Sequence, residues 1–343
     1  MHLLNVTEST ILGVSILAMP FCFKQCGVIL ATIMLILSGM LVKVACHLLL
    51  KSALLARRRT MENLAFHTHG HTGKLLVELG IIGYLAGTAI AFFVVMGDLG
   101  PPMVSKLAGI ESTANLRMVV LTGLGLFVAL PLSLLRDLES LQYICTTSIL
   151  FYVFVVARVV LQAAPHITSG EWMSEVNLWR PAGMLQCFPI FSLALSCQTN
   201  IFAVYTALPD ATPAKMNDVV KGAVNLCSGI YITIGFFGYV AFCYVDFAGN
   251  ILTAFPPSLL IDVIRCFSCM AHHMRLSSWF GVVSNLILTI FTENSSGLGS
   301  VSPWQFHFLL SFFLVGLPST ASSSGGTFSE CAFSSFTRCH NHC

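Results

Sequence analysis

Two short runs of helix-breaking residues could free backbone polar groups for binding. The first run, at 13–20, has a glycine at one end and a proline at the other, with small and apolar residues between them. The second run begins at Pro189 and leads into a polar stretch at 196–200. Unwound backbone exposes N–H groups that can receive a carboxylate and carbonyl groups that can hold a cation. Together the two runs predict a binding site that is built largely from backbone.

The elements that would position these runs are membrane-spanning helices. Of the 343 residues, 56% are hydrophobic and only 9% are charged, whereas about a quarter of a soluble chain is charged. This composition argues against a soluble enzyme, a nucleic-acid binder and a disulfide-linked secreted domain, and no catalytic motif is present. The sequence predicts an integral, multi-pass membrane protein.

Long windows with few charges mark the individual spans. Seven are clear, at 9–23, 25–42, 76–96, 118–134, 141–163, 184–208 and 222–245. Weaker windows at 247–270, 276–292 and 303–317 raise the expected total to nine or ten. The loop after the second span carries Arg57, Arg58 and Arg59, so the positive-inside rule predicts that this loop and the N-terminus are cytoplasmic.

Charged residues inside the windows are expected near the membrane surfaces, because a charge in the hydrocarbon layer is costly. Lys43 closes the second window and Glu78 opens the third, so both are expected at the cytoplasmic interface. Asp98 and Arg158 are expected near the opposite surface, where the arginine side chain can extend towards water.

The positions of the two runs carry more information than either run alone. Glycine and proline are common in membrane helices, so a single run could be ordinary. The runs, however, fall in the first and sixth spans, each of which begins a group of five. This spacing is typical of two inverted five-helix repeats whose broken helices surround a transport site.

Four segments carry a likeness to a known family: GVSILAMPFCFKQCG at 13–27, LAFH at 64–67, AFFVVMGDLG at 91–100 and FFGYV at 236–240. Together they resemble the amino acid/auxin permease family, and within it a branch of sodium-coupled neutral amino acid transporters of solute carrier family 38. The resemblance implies an all-α polytopic membrane protein with a LeuT-like inverted five-helix repeat, about eleven spans, and broken spans one and six. It also implies cation-coupled symport of neutral amino acids such as glutamine or alanine by alternating access.

The resemblance also implies which residues meet the substrate. The expected substrate-binding residues belong to the two runs and are Gly13, Val14, Ser15, Ile16, Leu17, Ala18, Ser192, Ser196 and Gln198. Ser9 stands where sodium-coupled relatives usually have an asparagine, and its hydroxyl is the expected cation ligand. The coupling ion could be Na⁺ or H⁺, and no metal or organic cofactor is expected. The predicted partners are the amino acid and the lipid bilayer, with no nucleic acid.

The likeness runs from about residue 9 to about residue 265. The predicted organisation is a transporter domain at 1–265, divergent and weakly predicted spans at 266–318, and a Ser/Gly/Cys-rich tail at 319–343 that is expected to be disordered. The second repeat is therefore expected to be incomplete. This leaves an alternative open, namely a non-transporting amino acid sensor or a truncated, inactive membrane protein. The host membrane is either the plasma membrane or an endomembrane.

Overall fold

The computed structural model describes residues 13, 15–109, 113–124, 138–170, 172–207, 212–245, 247, 249–255 and 264–265. The regular elements of these ranges are all helical. Ser9, Val14, the predicted spans at 276–292 and 303–317, and the tail at 319–343 lie outside the described residues.

The helices are labelled in chain order. They are α1 (Ser15–Cys26), α2 (Val28–Leu55), α3 (Met61–Ala108), α4 (Ala114–Leu124), α5 (Leu138–Ser169), α6 (Trp172–Glu175), α7 (Met184–Ala194), α8 (Ile201–Ala207), α9 (Pro213–Ala241) and α10 (Ile251–Ala254). Short 3-10 turns at Pro181–Gly183 and Gln198–Asn200 precede α7 and α8. The long helix α3 is interrupted at Gly70, whose backbone is not helical.

Four stretches in the described part of the chain are long and apolar enough to cross a membrane: α2, α3 over Met61–Lys106, α5 over Tyr152–Ser169, and α9. The described ranges contain only helical elements, and apolar helices of this length confirm the prediction of a polytopic membrane protein. The first and sixth predicted spans instead contain short helices, namely the 12-residue α1 and the 11-residue α7 with the 7-residue α8.

The chain forms two compact units, Met1–Leu75 with Cys145–Phe255 and Leu76–Ile144 with Pro256–Cys343. In the first unit, α1 packs against α2, α7 and α9, and most of its side chains are buried. In the second unit, the Arg117 guanidinium of α4 lies 3.3 Å from the Asp98 carboxylate of α3. This ion pair joins the two helices.

Helices α1 and α9 approach closely because glycines of α9 face bulky residues of α1. A Cβ atom at Gly238 would lie 2.5 Å from the Pro20 ring, and one at Gly235 would overlap the Phe23 ring. Small residues at a membrane helix contact allow such close packing, which compensates for the weak hydrophobic driving force between helices in lipid. The glycines therefore fix α1 against α9.

One end of the first unit is held together by backbone hydrogen bonds. The amides of Val28 and Ile29 donate to the carbonyls of Asn177 and Leu178, at 3.1 and 3.0 Å, and the Arg180 amide donates to the Cys26 carbonyl at 2.8 Å. These bonds join the α1–α2 turn to the connection before α7. The predicted alternation of spans requires these two connections to share one side of the membrane.

The structure corrects one expectation about charged residues and extends the helices that carry two others. Helix α2 continues to Leu55, so Lys43 lies within the helix rather than at its end. Helix α5 continues to Ser169 and leaves Arg158 well inside it. Glu78 is only 4% exposed and is not solvated at an interface. The prediction of a solvated Glu78 was wrong, because its burial depends on packing that the sequence does not show. That Lys43 and Arg158 lie near the membrane surfaces stays a prediction.

Candidate substrate site

Helix α1 begins where the first run predicts a break. Gly13 forms a bend, and the Ile16 amide donates to the Gly13 carbonyl at 3.3 Å. Ser15, Ile16, Leu17 and Ala18 form the first turn of α1, and all four are buried. The first N–H groups of a helix have no partner within it and carry partial positive charge. The start of α1 can therefore receive a carboxylate.

Pro20 lies inside α1 rather than ending it. Because proline has no N–H, the carbonyl four residues earlier, at Ile16, loses its helical donor. The ring is accommodated because Gly238 offers no side chain at the contact. The first run therefore supplies both N–H groups and a released carbonyl over one turn of helix.

The sixth span is broken as predicted. Helix α7 ends at Ala194, Leu195–Cys197 are not helical, and a 3-10 turn at Gln198–Asn200 leads into α8. The last carbonyls of a helix have no donor within it. At Ala194 the donor is the buried Tyr231 hydroxyl of α9, at 3.1 Å.

The predicted side chains of the second run do not all lie together. The Ser196 hydroxyl donates to the Gln198 side-chain oxygen at 3.0 Å, so these two residues form a polar pair at the break. Ser192 lies on α7 before the break and is exposed. Helix α1 packs directly against α7, so the start of α1 and the break after α7 belong to the same unit.

Buried cysteines occupy the contacts around the two breaks. Cys197 at the break lies 3.8 Å from Cys46 of α2, sulfur to sulfur. Cys22 and Cys26 of α1 and Cys187 of α7 are free and buried. This agrees with the interpretation of the cysteines as small apolar residues of helix contacts.

Tyr231 was not identified from the sequence as a residue of the site. The available signal was a tyrosine in an apolar span, since a buried tyrosine hydroxyl usually finds a hydrogen-bond partner. The partner could not be inferred, because it is a carbonyl of a helix 37 residues away.

Removing the Tyr231 hydroxyl should weaken the break. In a Tyr231→Phe variant the ring remains, but the buried Ala194 carbonyl loses its donor, which costs about 1–3 kcal/mol of folding free energy. We expect a lower midpoint in thermal unfolding of the purified protein. Tyr244→Phe is the control, because Tyr244 is 60% exposed and should change stability by less than about 0.5 kcal/mol. Equal midpoints for the two variants would contradict this role.

A broken sixth span, packed in one unit against the buried start of α1, is a feature of membrane transport proteins with discontinuous helices. Residues 1–318 match the family described as "Transmembrane amino acid transporter protein". The chain belongs to this family, which confirms the family predicted from the sequence and shows that the chain is not an enzyme.

Individual relatives agree with this assignment. The chain is 39% identical over 263 residues to human solute carrier family 38 member 10. The match covers 76% of this chain and 23% of the human protein. The mouse protein of the same name is 38% identical over 263 residues, and the match covers 76% of this chain and 24% of the mouse protein. Amino acid transporter AVT6E of Arabidopsis thaliana is 26% identical over 299 residues, and the match covers 83% of this chain and 58% of AVT6E. The chain thus spans about a quarter of the length of the human and mouse relatives.

Proposed function

We propose that this chain is a secondary active transporter of neutral amino acids such as glutamine or alanine, which works by alternating access. The observation that carries the proposal is the packing of α1, which starts at the first break, against α7, which ends at the second. The names of the relatives support amino acids as the substrate class, since AVT6E is named as an amino acid transporter.

The two breaks offer complementary groups to an amino acid. The N–H groups at the start of α1 would receive the carboxylate, and carbonyls such as that of Ile16 would accept hydrogen bonds from the ammonium group. Neither 13–20 nor 192–200 contains a charged residue. The substrate carboxylate and ammonium group already carry two charges. A substrate with a neutral side chain fits such surroundings, because a charged side chain would have no partner among these residues.

Transport would follow from movement of the two broken spans together. The first and sixth spans would rock with their helical bundle against the remaining helices and expose the substrate to each side in turn. A cation moving with the substrate would supply the driving force, and Ser9 is its proposed ligand. The ion gradient that drives uptake in an experiment would identify the cation as Na⁺ or H⁺.

Uptake into proteoliposomes tests this function. We expect labelled glutamine or alanine to accumulate when a sodium or proton gradient is imposed, and not in its absence. Gly13→Val should abolish uptake, because a β-branched side chain would occupy the bend before α1. Gly229→Val is the matched control, since no heavy atom of a neighbouring residue lies within 4 Å of a Cβ atom at this position. Uptake retained by Gly13→Val would overturn the assigned site.

If no uptake is observed, a measurement of ligand binding distinguishes the two alternative functions. A ligand present at 100 times its Kd stabilises the folded state by about 2.7 kcal/mol. A well-inserted protein that is stabilised by glutamine but does not transport it would be a sensor. A protein that neither binds nor transports would be the inactive product.

A further inference from the structure

A row of basic residues runs along one side of α2, beside α9. Lys43, His47 and Lys51 follow one another at intervals of four residues, so they lie on neighbouring turns of the same helix face. The Lys43 ammonium donates to the Asn225 side-chain oxygen of α9 at 2.7 Å. Lys221 lies one turn before Asn225 on α9, just as His47 lies one turn after Lys43 on α2. We call Lys43, His47, Lys51, Lys221 and Asn225 the basic face.

The register of the two helices places both halves of this face side by side. A Cβ atom at Gly39 of α2 would lie 3.3 Å from the Ser228 hydroxyl and 3.4 Å from Val224. Lys43 is one turn beyond Gly39, and its partner Asn225 lies about one turn before Ser228. The helices are therefore antiparallel here. Lys221 lies at about the same height along the helix pair as His47.

The position of Lys43 along α2 indicates the depth at which it would lie in a membrane. It is 15 residues after Val28, the first residue of α2, and a helix rises about 1.5 Å per residue. If Val28 is placed at one surface, Lys43 would lie about 22 Å into a hydrocarbon layer that is about 30 Å thick. Lys51 lies about 12 Å further, near the opposite surface.

The residues that precede Lys43 on the same side of α2 are apolar and open. Ile36 is 45% exposed and Met40 is 56% exposed. Along α2 the surface therefore changes from apolar, in the middle of the membrane, to basic, towards the end that carries Arg57, Arg58 and Arg59. Those three arginines are also exposed. Acyl chains and a negatively charged headgroup follow one another in the same order in a phospholipid.

The positive charge of the basic face is not balanced by α2 and α9. Asp218 is the single acidic residue in the sequences of these two helices, against Lys43, Lys51 and Lys221 on the face itself. The Asn225 amide is neutral, so it orients the Lys43 ammonium without cancelling its charge. A cation at this depth is costly unless an anion accompanies it.

We propose that the basic face binds the phosphate headgroup of an anionic phospholipid, whose acyl chains lie along Ile36 and Met40. Basic sites between membrane helices near the cytoplasmic surface are suited to such headgroups. The lipid is favoured over a soluble phosphate, because the apolar row leads directly into the face and would have no function for a soluble ligand. This site is separate from the substrate site and does not depend on the proposed transport function.

The test measures binding of a fluorescent phosphatidylinositol 4-phosphate to the purified chain in phosphatidylcholine nanodiscs. Removal of one lysine near the surface should weaken binding about 5-fold, and the double variant Lys51→Gln/Lys221→Gln about 25-fold, since each charge contributes about 1 kcal/mol. Lys106→Gln, an exposed lysine of α3 outside the face, should leave binding unchanged. Lys51→Arg/Lys221→Arg keeps the charge and should retain the lipid, which separates loss of binding from loss of folding.

Three outcomes would overturn the proposal. In the first, the double glutamine variant binds the lipid as tightly as the original chain. In the second, the soluble headgroup inositol phosphate competes as strongly as the complete lipid, which would make this a site for a soluble anion. In the third, the original chain shows no preference for the anionic lipid over phosphatidylcholine, which would mean that the positive charge of the face does not select the headgroup.

Discussion

A Gly238→Ala variant is expected to lose most of its folded, monodisperse protein. The added methyl group would lie 2.5 Å from Pro20 Cγ and 2.8 Å from Ile251 Cδ1, and neither contact is easily relieved. The proline ring is rigid, and Ile251 is completely buried. Overpacking of this kind typically costs about 1–3 kcal/mol, and sometimes more. Size-exclusion chromatography of detergent extracts, followed by thermal unfolding, would measure the loss.

The same helix offers a matched control for this variant. Gly229 also lies on α9, but a Cβ atom there would meet no heavy atom of a neighbouring residue within 4 Å. Gly229→Ala should therefore be neutral or slightly stabilising, because alanine is the better helix former by about 1 kcal/mol. If Gly238→Ala unfolds at the same temperature as Gly229→Ala, the close contact between α1 and α9 is not present in the protein.

A Gly27→Ala variant is expected to show the second large effect, at the turn between α1 and α2. Gly27 has φ +84° and ψ +157°, a region that is essentially restricted to glycine and costs other residues about 1–3 kcal/mol. The new methyl group would also lie 2.8 Å from the backbone of Leu178 and Trp179. The two costs add, so we expect destabilisation of about 3 kcal/mol or more, measured as a fall in the thermal midpoint.

Gly70 separates the two contributions. It has a similar backbone, with φ +67° and ψ −155°, but a Cβ atom there would meet no heavy atom within 4 Å. Gly70→Ala should therefore show the conformational cost alone, about 1–3 kcal/mol. A Gly27→Ala midpoint no lower than that of Gly70→Ala would show that residues 178–179 do not pack against the turn.

The helical class and the position of the break in the sixth span could be predicted from the sequence because both depend on local chemistry. Apolar windows indicate the membrane-spanning segments, and Gly13 and the polar stretch around Ser196 lie where the structure has a bend or a non-helical segment. Pro189, in contrast, lies inside α7. Pro20 was expected to bound the first break, yet it lies inside α1. Its ring is tolerated because Gly238 of another helix leaves space for it, and no local pattern indicates this.

Other features could not be predicted because they depend on distant partners. The tyrosine whose hydroxyl binds the Ala194 carbonyl belongs to α9, and the burial of Glu78 is a tertiary property. The extent of α2 beyond Lys43 was missed for a related reason. The lysine ends the charge-free window, but the helix continues through it, and the lysine side chain donates to Asn225, which is 182 residues later in the chain.

The joint between the α1–α2 turn and the connection before α7 consists of three backbone-to-backbone hydrogen bonds. Backbone atoms are common to all residue types, so the side chains of 177, 178 and 180 are free to change during evolution without weakening it. The constraint falls on two positions that lack a side chain, Gly27 and Gly183, where a Cβ atom would collide with the opposite backbone. Homologous sequences should therefore vary widely along this connection while keeping those two glycines.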